Sequence, residues 1–186
     1  MSFIAPVEVP GGADLCAVPA LSDAEAAART WVGPGPSERL AILHRTRSIA
    51  MVGASANPAR ASYFVATYLL SSTPYDVYFV NPHATAILGR QVYPSLADLP
   101  VVPDLVDVFR KHDDLPTVLS ETLAVGAKTF WLQLGSWHED VARAAQDAGL
   151  TVVMDRCVKI EHARFHGGLH LAGFDTGVIS SRRARH

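Results

Sequence analysis

Short apolar runs alternate with helix-length amphipathic segments from Ser48 onward. Near-continuous apolar runs suit strands that are buried on both faces of a sheet, because such strands have no solvent-facing side. The intervening segments predict helices at about 59–70, 113–125 and 137–148, and a glycine follows each of the last two, as is common at helix C-termini. The predicted strands are 48–53, 76–81, 105–109, 129–134 and 151–155.

This alternation predicts an α/β fold, namely a Rossmann-like doubly wound parallel sheet of about five strands in three α/β/α layers. Ligands bind such sheets outside the carboxyl ends of the strands, at the crevice where the strand order reverses. The candidate binding residues are therefore those that follow the strands.

Residues 1–36 break the pattern, because five prolines and short glycine runs interrupt any long element. We expect an N-terminal extension there with one short helix, since Ser22 and Glu25 have the spacing of a capping box. That helix either packs on the domain through Trp31 or frays. A second short helix, capped by Ser37, leads into the first strand, and a single turn of helix is expected near 95–99.

Composition indicates one ordinary globular domain, with 186 residues of which 49% are hydrophobic and 18% charged. We divide the chain into the extension 1–36, a domain at 37–162 and a C-terminal tail at 163–186. A net charge of -2 gives no field that attracts nucleic acid or an anionic membrane, so a phosphate ligand would be held locally.

No apolar run reaches the roughly 20 residues of a membrane-spanning helix, and the start of the chain lacks the basic region of a signal peptide, so we expect a cytoplasmic protein. Cys16 and Cys157 lie far apart, a spacing that predicts neither a disulfide framework nor a zinc site.

The first strand ends in a turn that suits an anion. Gly53 permits a tight turn, and the small residues Ala54 and Ser55 let backbone amides approach a phosphate. The spacing differs from the dinucleotide fingerprint, since Ser55 and Pro58 stand where its later glycines would be. An ordinary strand-turn-helix corner is the alternative.

The helix that follows this turn supplies further candidates. Asn57 is expected to cap it, with Pro58 at its first position, where the missing amide costs nothing. Arg60 and the Ser62 hydroxyl would then add donors near the helix amino end.

The second strand ends at Asn81 and Pro82, where a protein that binds NAD normally carries a carboxylate for the ribose 2′-hydroxyl. A neutral asparagine tolerates the additional phosphate of NADP or of coenzyme A, so the charge pattern counts against NAD. A plain turn explains this pair equally well.

Five motifs occur in order along the chain: "VGAS", "VNP", "DLVDVFR", "WLQLG" and "VMDRC". With the segment "G-x-x-x-Y-x-SL", they make the chain resemble the bacterial and archaeal single-domain CoA-binding proteins. This family is similar to the CoA-binding amino-terminal domain of the succinyl-CoA synthetase α subunit. The resemblance covers about Ser37 to His162.

The resemblance implies coenzyme A, free or as an acyl-CoA, at the carboxyl edge of the sheet. The loop of Gly53, Ala54 and Ser55 would meet the pyrophosphate together with Arg60, and Asn81 and Pro82 would border the adenosine end. The remainder would be lined by Phe109, Arg110, Gln133, Leu134 and Gly135.

Independent catalytic activity is not expected. A synthetase subunit also needs a domain with a phosphorylated histidine, and only about 30 residues follow the fifth strand. Cys157 either exchanges with the CoA thiol, aided by Arg156, or is structural. The tract of His162, His166 and His170 is expected to be a solvated tail, and no metal site is predicted.

Three functions remain open: a CoA-binding module, an NADP-dependent oxidoreductase, and a CoA-binding component acting with a separate acyl-CoA ligase subunit. A homodimer is plausible for a domain of this size. Arg110 either binds phosphate or pairs with Asp113 or Asp114. Trp131 is expected in the core, and Trp137 either packs or touches the ligand.

Overall fold

The computed structural model describes residues 29–166. Within this range one seven-stranded sheet has the order β3-β4-β2-β1-β5-β6-β7. Neighbouring strands are parallel except for the antiparallel pair β3 and β4. The strands are β1 (Ser48–Val52), β2 (Asp76–Val80), β3 (Ala86–Ile87), β4 (Arg90–Tyr93), β5 (Leu105–Val108), β6 (Thr129–Leu132) and β7 (Thr151–Val153). The predicted doubly wound parallel sheet is confirmed.

Two short strands, β3 and β4, were not predicted. They form a hairpin whose two-residue turn has positive φ at both Leu88 (49°) and Gly89 (73°). Turns of this kind match the twist of a hairpin, but a leucine is an unusual occupant of the first position. The sequence therefore lacks the asparagine or aspartate signal that would have predicted the hairpin.

Five helices flank the sheet within the described residues: α1 (Pro36–Arg45), α2 (Ala61–Ser72), α3 (Leu115–Ala124), α4 (Glu139–Asp147) and α5 (Val158–Phe165). The three predicted crossover helices are confirmed with ends that shift by a few residues. Short 3-10 turns occupy Leu96–Asp98, as expected, and His112–Asp114. No helix of residues 29–166 is long and apolar enough to cross a membrane.

The two predicted helix caps that lie within the described residues, Ser37 and Asn57, were wrong, as was the placing of Pro58 at the first position of the helix after β1. Helix α1 begins one residue before Ser37, with Pro36 at its first position and the Gly35 amide donating to the Glu38 carboxylate at 2.6 Å. Helix α2 begins only at Ala61, because Asn57 closes a separate turn in which its Oδ1 accepts from the Ala59 amide at 2.9 Å.

The core lies in two layers, one on each face of the sheet. Alternate side chains of β1 separate them, since Ile49 and Met51 face α1, α2 and α5, whereas Ala50 and Val52 face α3 and α4. Trp31 also belongs to the α3 and α4 layer and is 7% exposed. Trp31 itself thus packs on the domain. Residues 22–28 of the predicted N-terminal helix lie outside the described residues, as does the tail beyond His166, and the last residues of that predicted helix, 29–31, are not helical.

Candidate functional site

The sheet order reverses at β1, from which the chain first builds outward through β2 and β4 and then returns to β5 on the other side. A cavity of about 960 Å³ opens at this edge, between the exits of β1, β5 and β6 and the amino ends of α2 and α5. Its position is the one that the doubly wound fold favours for ligands.

Nine of the thirteen predicted site residues line this cavity. They are Gly53, Ser55, Arg60, Ser62, Phe109, Arg110, Gln133, Leu134 and Gly135. The other four, Ala54, Pro58, Asn81 and Pro82, are not among its lining residues. The structure therefore brings the exits of β1, β5 and β6 together and leaves the exit of β2 to one side.

Gly53 is required where β1 and β5 end. Its φ is 82°, and a Cβ at this position would lie 2.4 Å from the Phe109 carbonyl oxygen and 2.8 Å from Arg110 Cδ. Only glycine combines this backbone conformation with so close an approach. The turn thus sets the width of the cavity between the two strand exits.

The loop after Gly53 is held by its own hydrogen bonds. The Ser55 amide donates to Ser62 Oγ at 3.1 Å, and the Asn57 amide donates to Ser55 Oγ at 3.2 Å. Ser62 is buried in the first turn of α2. The bond from the Ser55 amide to Ser62 Oγ therefore attaches the loop to that helix. Some of the hydrogen-bonding groups of the loop therefore stabilise the conformation of the loop itself.

Asn81 shapes the same loop from the neighbouring strand. Its Nδ2 donates to the Ala54 carbonyl at 2.7 Å, and its Oδ1 accepts from the His83 amide at 2.9 Å. The second bond closes a turn that contains Pro82. Asn81 thus stabilises the β1 turn, and both polar groups of its side chain take part in these two hydrogen bonds.

Cationic side chains are concentrated around the cavity. Arg60, Arg110, Lys111 and Lys159 line it together with one carboxylate, Asp114. Arg110 was expected either to bind phosphate or to pair with Asp113 or Asp114. It pairs with Asp114 at 3.0 Å and also lines the cavity. A chain of net charge -2 therefore presents a local positive surface where an anion would bind.

A buried acid lies beside the cavity. Asp107 of β5 is 0% exposed, and its Oδ1 accepts a hydrogen bond from Gln133 Nε2. Burial raises the pKa of Asp107 to about 8, and its Oδ2 has no hydrogen-bond partner among the described residues. This acid is therefore mostly protonated at neutral pH.

Cys157 lines the cavity at the start of α5 and is itself buried. Burial raises the pKa of its thiol to about 11, and the charge of Asp107 acts in the same direction. Of the two alternatives for Cys157, these observations favour the structural cysteine, since the thiol pKa is raised and the Arg156 guanidinium donates to the Asp155 carbonyl at 2.7 Å. An un-ionised thiol is a poor nucleophile.

The tryptophans and the histidine tract have clear environments. Trp131 is fully buried, as predicted, and Trp137 packs on the core while it also lines the cavity.

His162 is buried on α5 and its Nδ1 lies 3.0 Å from the Tyr68 hydroxyl, so the expectation of a solvated tail was wrong for this residue. His170 lies outside the described residues, and within residues 29–166 no group of metal-ligating side chains occurs.

A family model described as a CoA binding domain matches residues 47–163, which is more than half of the chain. The chain belongs to the CoA binding domain family. The resemblance found in the sequence motifs is thereby confirmed, over nearly the same residues.

The chain is similar to three further proteins that differ in length. The uncharacterized protein YneT of Bacillus subtilis (strain 168) is 36% identical over 130 residues, covering 70% of this chain and 96% of YneT. A solved hypothetical protein from Pyrococcus horikoshii OT3 is 38% identical with a TM-score of 0.69, covering 73% of this chain and 94% of that one. Dinucleotide forming acetyl-coenzyme A synthetase 1 of Ca. Korarchaeum cryptofilum, solved with phosphate and ADP, is 27% identical with a TM-score of 0.56. That match covers 61% of this chain and 26% of the synthetase.

Four residues that helices contribute to the cavity wall of this CoA binding domain were not predicted from the sequence. Phe64 and Val65 of α2 and Lys159 and Ile160 of α5 all line the cavity. A signal existed for α2, because Ala61, Phe64 and Val65 fall on one helical face. None existed for α5, which was not predicted as a helix.

Proposed function

We propose that this chain binds coenzyme A or an acyl-CoA in the cavity at the carboxyl edge of its sheet. The observation that carries this proposal is the position of the cavity at the β1 and β5 switch point, with cationic and apolar walls, in a member of the CoA binding domain family. Coenzyme A joins a phosphorylated nucleotide to a less polar pantetheine arm. A cationic wall suits the phosphates, and an apolar wall suits the arm.

The charged end of the ligand fits the side of the cavity formed by Arg60 and the amino end of α2. Ala61 and Ser62 line the cavity there, where the partial positive charge of the helix favours a phosphate. Arg110, on the opposite strand exit, brings a second guanidinium. These groups would contact the pyrophosphate, while Asn81 holds the Ala54 carbonyl and keeps the β1 turn in shape.

The pantetheine arm fits the apolar side of the cavity. Phe64 and Leu134 are 44% and 37% exposed and both line the cavity, so a ligand bound there would cover their apolar surface. Phe109 and Ile160 continue the same wall. An acyl group or the bare thiol would end in this region.

We propose that this chain binds coenzyme A or an acyl-CoA without converting it chemically. Cys157 is held as a thiol and Asp107 as a neutral acid at pH 7, so Cys157 is not an activated nucleophile and Asp107 is not a ready base. A CoA-binding component of a ligase is the second candidate, because the chain is similar to part of an acetyl-coenzyme A synthetase. Co-purification of a nucleotide-binding partner chain would support that role.

Calorimetric titration with CoA, acetyl-CoA and NADP tests the proposed function. We expect binding of CoA or acetyl-CoA, and clear NADP binding without either CoA species would overturn the proposal in favour of an oxidoreductase.

The substitution Arg60→Ala should weaken CoA binding by roughly 10-fold, because it removes a charged hydrogen bond to phosphate at an exposed position. Arg90→Ala is the matched control, since Arg90 is an exposed arginine on β4 outside the cavity lining. Equal affinities of the two variants would remove Arg60 from the site.

A further inference from the structure

We infer that residues Arg29, Thr30 and Trp31, the N-terminal strap, hold one wall of the proposed CoA cavity, and that Arg29 is a positioning residue for CoA binding. This inference rests on the proposed function. The wall in question is the segment from Gln133 to Trp137, which follows β6 and lines the cavity.

One carboxylate joins the strap to this wall. Asp155 Oδ1 accepts from the Gly135 amide at 2.7 Å, while Asp155 Oδ2 accepts from Arg29 Nη1 at 2.8 Å. The Asp155 amide also donates to the Ser136 carbonyl at 3.2 Å. Arg29 therefore restrains the same side chain that fixes Gly135, and the Arg29 and Asp155 side chains are both only 19% exposed.

The strap also holds Trp137, the last residue of the wall. The Arg29 guanidinium carbon lies 4.1 Å from the centre of the Trp137 ring, a distance typical of a cation–π contact. The edge of Trp31 packs against the same ring with a centroid separation of 5.8 Å. Trp137 is thus fixed by two strap residues on one side and contributes to the cavity on the other.

The strap has its own anchor on α4, away from the cavity. Both oxygens of Glu139 accept from Thr30, one from its amide and one from its hydroxyl, each at 2.7 Å. Trp31 Nε1 donates to Gln146 Oε1 at 2.8 Å. Gly33 makes room for this arrangement, since a Cβ there would lie 2.5 Å from the Trp31 ring.

The family match begins at residue 47, so the strap lies outside the matched CoA binding domain. The contacts to Asp155 and Trp137 therefore add support to a wall that belongs to the domain itself. A restrained wall loses less freedom when the ligand binds, which raises affinity without a contact between Arg29 and the ligand.

Calorimetric titration of the full chain with CoA tests this role. Arg29→Gln should weaken binding roughly 5- to 20-fold, within the usual range for coupling between two sites. Arg45→Gln is the matched control, because Arg45 is an exposed arginine at the end of α1 that donates to Thr151 Oγ1 at 3.1 Å and does not line the cavity. We expect its affinity to stay close to that of the wild type, and Arg29→Lys, which retains the charge, should recover part of the loss.

A second measurement needs no variant. Linkage is reciprocal, so CoA should slow hydrogen exchange at the Thr30 amide if docking of the strap and binding of CoA favour each other. A strap that serves stability alone would exchange at the same rate with and without ligand. Unchanged affinity in Arg29→Gln, or exchange at Thr30 that CoA does not slow, overturns the inference and leaves the proposed function standing. No CoA binding by the wild-type chain overturns both.

Discussion

The substitution Asp107→Asn tests the assignment of a buried, protonated acid beside the cavity. Asparagine has nearly the same shape, and its Oδ1 still accepts from Gln133 Nε2. Its amide nitrogen replaces Oδ2, which has no hydrogen-bond partner among the described residues. The variant therefore imitates the neutral form of the acid and removes only its ionisation.

The sign of the pH effect follows from the two pKa values of Asp107. The carboxyl titrates at 3.8 in an unfolded chain and at about 8 in the folded protein. Between these values the folded state keeps a proton that the unfolded state has lost, so the wild type loses stability as the pH rises. The slope is about 1.4 kcal/mol per pH unit, which amounts to roughly 3–4 kcal/mol between pH 5 and pH 8.

Urea unfolding followed by tryptophan fluorescence at pH 5 to 9 measures this difference, since Trp31 and Trp131 are buried. The free energy of unfolding of Asp107→Asn minus that of the wild type should rise by that amount and level off above about pH 9. Asp76→Asn, at an exposed position on β2, is the matched control. A difference that stays constant from pH 5 to pH 8 would refute the assignment, because Asp107 would then have the same charge in both states.

Two further predictions use the same unfolding assay. Gly53→Ala should lower the free energy of unfolding by roughly 2–4 kcal/mol, because the added Cβ meets the Phe109 carbonyl and an alanine resists positive φ. Gly126→Ala has a similar φ of 76° with no atom within 4 Å of its Cβ, so an equal loss there would contradict the close-approach argument. Burial, with His166 and His44 nearby, lowers the pKa of His162 to about 4. The wild type should therefore lose stability as the pH falls from 6.5 to 4, and His162→Asn should remove that part of the slope, a result that an unchanged slope would contradict.

The sheet could be predicted because its central strands are apolar on both faces. Ile49 and Ala50 are consecutive residues that lie in opposite core layers. An uninterrupted apolar run therefore indicates a strand that is buried on both faces. The positions of the predicted site residues at strand exits followed from the same pattern, because parallel strands end at one edge.

Helix α5 could not be predicted, since its buried face is only partly apolar. Lys159, Glu161 and His162 are all buried on it, and Glu161 is neutralised by Arg39 of α1 at 2.7 Å. A buried ion pair between distant segments leaves no periodic signal in the sequence of either one. The α5 wall of the cavity, with Ile160, was missed for this reason.

Charge around the cavity connects these features. A polyanion such as coenzyme A is repelled by carboxylates, and the chain has a neutral Asn81 where nucleotide-binding proteins often carry an acid. Asp107 would reintroduce that repulsion if it were ionised. Burial keeps its proton at pH 7, and Asp114 and Arg110 neutralise each other as a pair, which leaves a surplus of basic side chains in the cavity lining. The fold thus produces a local positive surface on a slightly acidic chain by neutralising its nearby acids as much as by adding bases.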